Sequence, residues 1–97
     1  MSNQTIEEKI KQRRTQMLIH SCIYYKMDDS IVDDFVWQKW ADELTQLQAE
    51  NPNINIGYYD EEFKDWTGAG GSHLPFNEQI RSKAAFLLDL NNSNNKA

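Results

Sequence analysis

Two helical apolar patterns meet at an acidic turn, and that junction limits what the chain can become. Apolar residues at Ile6, Ile10, Met17, Ile19, Ile23 and Tyr24, with Leu18, Cys22 and Tyr25 beside them, recur at helical spacing. Lys26-Met27-Asp28-Asp29-Ser30 breaks the pattern, and Val36, Trp40, Leu44 and Leu47 resume it with Trp37 and Ala41 alongside. Two amphipathic helices joined by so short a break must fold back on each other to bury their faces. The expected fold is therefore all-α, an antiparallel helical hairpin of Thr5–Tyr25 against Asp33–Asn51.

The helix ends are also written in the sequence. Thr5-Ile6-Glu7-Glu8 has the spacing of a capping box, and Ser30 and Asp33 are both competent N-caps for the second helix. Asn51-Pro52-Asn53 ends that helix. Tyr59, Phe63 and Trp66 then share one side of a short helix between Tyr58 and Trp66. Three glycines and a proline make Thr67–Pro75 an irregular loop, expected to cross tightly over the helices. Ile80, Ala84, Leu87 and Leu88 return to helical spacing over Phe76–Leu90. Residues 1–91 form one domain, and 92–97, rich in asparagine, are expected to be disordered.

With 97 residues the chain makes one compact domain. Its one cysteine, Cys22, has no partner for an internal disulfide, so the reducing cytoplasm is the default setting. No apolar run approaches the ~18 residues that span a bilayer. The net charge of −5 is unevenly divided: residues 1–27 carry five basic and two acidic side chains, and 28–97 carry five basic and thirteen acidic. Repulsion from phosphates weighs against nucleic-acid binding over most of the surface. The basic run Lys9, Lys11, Arg13, Arg14 reads as a solvated helix face, or else as the face through which the chain, as a structural or regulatory DNA-replication module, would dock on DNA. Two histidines and one cysteine do not make a zinc site, and the acids lack calcium-loop spacing, so no metal is expected.

Tyr24, Asp28, Asp34, Glu43, Leu44, Leu47 and Pro52, together with the apolar Trp40, fall without a gap on a pattern that runs through the N-terminal domain of bacterial NAD-dependent DNA ligases. Residues 8–53 thus resemble that domain, known as domain Ia, and a stand-alone chain of this kind is similar to ligase-related open reading frames of bacteriophages. The resemblance implies a helical hairpin that grips the nicotinamide mononucleotide (NMN) half of NAD. Two of the five gripping positions are kept, Tyr24 and Asp34. Tyr25 replaces a histidine, Trp37 a tyrosine and Gln38 a carboxylate, so weak NMN or NAD binding is the most the resemblance implies. The ligase's Lys-x-Asp-Gly adenylation motif does not occur in the chain, and no catalytic residue is assigned.

Two functions follow as expectations. In the first, a small non-enzymatic, phage-encoded protein occludes the surface of a host or defence protein, an anti-CRISPR inhibitor of an effector nuclease being one example. Its acidic contact residues would be Asp28, Asp29, Asp33, Asp34, Asp60, Glu61, Glu62 and Asp65, competing for a DNA-binding groove. In the second, the chain is an accessory NMN- or NAD-binding module of a DNA ligase system, using Tyr24, Tyr25, Asp34, Trp37 and Gln38.

Overall fold

The computed structural model describes residues 4–94. Four helices follow one another, α1 (Ile6–Lys26), α2 (Asp34–Glu50), α3 (Asp60–Phe63) and α4 (Glu78–Asn94), and no strand occurs among the described residues. The all-α expectation holds. α1 is the central element, packed against both α2 and α4.

The N-terminus of α1 is capped as its sequence indicates: Glu8 N–H donates to Thr5 Oγ1 at 3.1 Å, and Thr5 N–H to Glu8 Oε1 at 2.9 Å. This pair holds the Glu8 carboxyl below its ordinary pKa, through the Thr5 backbone and then the Thr5 side chain. Of the two candidate caps for α2, Asp33 takes the role, accepting from Val36 N–H at 2.8 Å. α4 begins two residues later than its apolar spacing suggests, because the Asn77 side chain accepts from Ile80 N–H at 2.9 Å. α4 also continues through Asn94, into the asparagine-rich stretch expected to be disordered from residue 92; residues 95–97 lie outside the described residues. α3 is a single turn, shorter than the aromatic spacing implies.

The core is built from Ile10, Met17, Leu18, Cys22 and Ile23 of α1, Ala41 and Leu44 of α2, Phe63 of α3 and Ile80 and Ala84 of α4, closed by Trp66 and Leu74 from the connecting loop. Ile6, Tyr24 and Tyr25, which share the apolar pattern of α1, are exposed instead. Each lies near an end of α1, beyond the neighbours that cover its middle.

The basic run on α1 is a solvated face only at Lys9 and Lys11, which are exposed; its two arginines are drawn into the fold. Arg14 is 3% exposed and reaches across to α3: its Nη1 lies 2.8 Å from Asp60 Oδ1 and 2.8 Å from the Tyr58 carbonyl, while Nε donates to Gln48 Oε1 at 3.0 Å. Arg13 is held by Glu43 at 2.8 Å, and Lys11 lies over the Tyr58 ring. The two arginines are engaged within the fold rather than presented to phosphates. Asp60 also accepts from Ile56 N–H at 3.1 Å and Gly57 N–H at 2.8 Å, which pins the turn before α3.

Candidate functional site

Where α1 ends and α2 begins, the chain must reverse, and the polar groups of that reversal are partly used locally. Asp28 sits at φ 53°, a left-handed conformation that aspartate adopts more readily than most residues. Asp29 Oδ1 accepts from Ser30 N–H at 2.7 Å, and Asp33 caps α2. The large side chains flanking this turn are left facing a hollow of about 320 Å³.

Tyr24, Tyr25, Asp34, Trp37 and Gln38, the five positions singled out by the ligase resemblance, all line this one hollow. Tyr24 and Tyr25 meet edge to face at 4.9 Å and are both largely exposed, so they form the rim. Trp37 is half-buried, and its indole N–H donates to Ser21 Oγ at 3.3 Å. Its ring meets Trp66 edge to face at 6.1 Å, and Trp66 meets the fully buried Phe63 in the same manner at 5.2 Å. A train of rings thus anchors the Trp37 wall in the core, which fixes its orientation before any ligand arrives.

The far wall comes from a segment the five positions do not include. Ala69 and Gly70 line the hollow from the glycine loop, and the Gly70 carbonyl accepts from Trp66 Nε1–H at 2.7 Å. The loop crosses the hairpin closely. A Cβ at Gly71 would stand 2.8 Å from Ser21 Cβ, and Gly68, at φ 81°, packs against Ala41 and Thr45 of α2. Gly71→Ala is therefore expected to destabilise the fold by about 1–3 kcal/mol through overpacking. It should also disturb the Ser21–Trp37 hydrogen bond, measurable as a shift of the Trp37 indole proton resonance. Gln38 fastens the other side, its amide donating to Asp42 Oδ1 at 3.0 Å and to the Gly68 carbonyl at 3.3 Å.

His20 and Ser21 complete the inner surface with Ser30, Ile31 and Val32. His20 packs on Trp40 with ring centroids 5.3 Å apart, and its buried Nδ1 has no hydrogen-bond partner. Burial lowers its pKa, which keeps the ring neutral at pH 7. Burial likewise raises the Cys22 thiol, partly offset by Arg81 and Lys26, so the thiol remains protonated in the core.

His20, Ser21, Ser30, Ile31, Val32 and the glycine loop line the hollow beyond the five positions that the sequence indicates. The available signal was Gly68-Ala69-Gly70-Gly71 directly after an aromatic turn, since small residues in series permit a close crossing.

The acids proposed for partner contact are not gathered on one face. Asp28, Asp29, Asp33 and Asp34 cluster at the hairpin tip, whereas Asp60, Glu61 and Asp65 border a second, more open hollow of about 520 Å³ beside Arg14. Glu62 is exposed on the same short helix. The rise of α1 from Arg14 to Lys26 separates the two groups by roughly 18 Å. Asp60 is already committed to Arg14. At the tip, by contrast, Phe35 stands 78% exposed between Asp34 and the next turn of α2.

Among the described residues no cluster of three or more metal-ligating side chains comes together, and no helix is long and apolar enough to cross a membrane. Compared with protein-family models, with curated proteins and with solved structures, the chain matches none.

Proposed function

We propose that the chain is a non-enzymatic module that captures a nicotinamide nucleotide in the hollow at the hairpin tip. The observation that carries this reading is convergence. Five residues spread from position 24 to 38, chosen for their resemblance to the NMN-gripping positions of ligase domain Ia, line a single hollow with three aromatic rings and a carboxylate. A pyridinium is flat and cationic. Trp37 and the tyrosine pair offer ring faces and edges for stacking and cation–π attraction, and Asp34 supplies the opposite charge. A volume of about 320 Å³ lies at the small end of ligand sites and suits one ring and its sugar rather than a whole dinucleotide.

Calorimetric titration with NMN tests this. Because three of the five positions carry altered chemistry, saturable binding is expected only in the range of about 0.1–1 mM. A titration that stays flat at several millimolar with NMN and with its phosphate-free riboside alike removes the reading.

The exposed Phe35 among four aspartates supports a second reading, in which a phage-type protein docks its hairpin tip into a basic groove of a host or defence protein, such as a CRISPR effector nuclease. Aromatic anchors ringed by charge are common at interfaces. Neutralising Asp28, Asp29, Asp33 and Asp34 together should then abolish a salt-dependent association with that nuclease. Inhibition that persists in this variant and ignores salt speaks against it.

A further inference from the structure

We propose that the hollow selects the phosphate-free form of its ligand, a cationic pyridinium nucleoside, over the corresponding 5′-phosphate. The inference rests on the nucleotide-capture reading and concerns what that site rejects.

The charges around the hollow carry the argument. Among the described residues, Asp34 is the only charged side chain on its lining, which includes no lysine or arginine. Three further carboxylates, Asp28, Asp29 and Asp33, stand in the turn that forms its edge. Lys26 and Lys39 directly follow the lining residues Tyr25 and Gln38, yet neither lines the hollow: Lys26 Nζ lies over the Phe76 ring at 5.9 Å, engaged with the connection to α4, and Lys39 is exposed on α2. The one ring nitrogen pair on the lining belongs to His20, which burial keeps neutral.

A helix N-terminus could replace a cation, since its free amides attract phosphate. At this site the N-terminus of α2 is already served by a carboxylate: Asp33 Oδ1 accepts from Val36 N–H at 2.8 Å, and Asp34 occupies the first turn. A phosphate brought there would have to displace an aspartate and face its neighbours. The pyridinium ring meets the opposite situation, because the charge on the lining and the three in the turn at its edge are all negative. Ring and phosphate are thus pushed in opposite senses by the same field, and the ligand lacking phosphate keeps only the favourable part.

The test is a set of parallel calorimetric titrations of the intact chain with nicotinamide riboside, NMN and neutral nicotinamide, at low salt and at 0.5 M salt. The riboside should bind about tenfold more tightly than NMN at low salt, and the gap should narrow as salt screens the carboxylates. Nicotinamide, lacking the cationic charge, should bind more weakly than the riboside. Ser30→Lys, which places a cation on the rim, should bring NMN level with or ahead of the riboside. NMN binding as tightly as the riboside to the wild type overturns the selectivity and leaves the capture reading standing. Absence of binding by both overturns the two together.

Discussion

Asp60→Ala should cost about 3–5 kcal/mol of folding stability, because it strands the buried Arg14 without its counter-charge. The position looks dispensable in sequence, as one acid in the run Asp60-Glu61-Glu62. In the fold, Arg14 is 3% exposed, sits over the Phe63 ring at 5.6 Å, and ties α1 to α3 through Asp60 and to α2 through Gln48. Losing Asp60 also leaves the Ile56 amide without its acceptor and the Gly57 amide with Asn55 Oδ1 alone. Urea denaturation followed by circular dichroism measures the effect, and Glu62→Ala, on an exposed side chain of the same turn, should change stability by less than about 0.5 kcal/mol.

The same residue sets a pH signature. Burial alone would raise the Asp60 carboxyl. The Arg14 hydrogen bond, the Ile56 and Gly57 amides and the Arg14 charge together outweigh it, leaving the pKa below its ordinary value. The folded state therefore holds this proton less tightly than the unfolded chain. The stabilisation is complete above the unfolded carboxylate range and is lost as pH falls through that range to the lower folded pKa. Asp60→Asn should accordingly show a shallower loss of stability on acidification than the wild type. Equal acid slopes would show that Asp60 does not govern this region.

Trp37→Leu should weaken nicotinamide nucleotide binding by about 1–3 kcal/mol, roughly 5- to 150-fold, while keeping an apolar contact on Trp66. The indole offers the large flat face of the hollow, and its orientation is fixed by Ser21 and Trp66 rather than by the ligand. Asp34→Asn separates charge from stacking. It lies on an exposed first turn, so the fold should be little altered, and the affinity for a pyridinium should fall with a weaker salt dependence. A Trp37→Leu variant that binds as tightly as the wild type would place the ligand elsewhere.

The hairpin was legible in the sequence because its signals are local. Helical spacing in α1 and α2, the capping box at Thr5 and the Asp33 cap all act within a few residues, and each appears where expected. What the sequence concealed depends on distance along the chain. Arg14 stands in a basic run, and only the return of Asp60 beside it makes it a buried strut. The glycine loop was recognisable as a tight crossing, but nothing local says that it crosses at Ser21 and so provides the far wall of the hollow. The exposure of Tyr24 and Tyr25 has the same origin. Their spacing continues the apolar face of α1, yet the neighbours that would cover them stop short of the hairpin tip.

The site residues were found through resemblance and not through periodicity, which assigns Trp37 to the hairpin's apolar face and Gln38 and Asp34 to the surface. Their meeting around one hollow is a property of the folded chain. What they can do there follows from ring faces, one carboxylate on the lining and three at its edge.

The most direct test is a two-dimensional ¹H–¹⁵N correlation spectrum of the labelled chain, titrated with nicotinamide riboside and with NMN. Saturable shifts confined to the amides of Tyr24, Tyr25, Asp34 and Gly70 and to the Trp37 indole N–H are expected. No shift at millimolar concentrations of either ligand, or shifts centred on Ile54, Lys64 and Asp65 around the second hollow, would contradict the account.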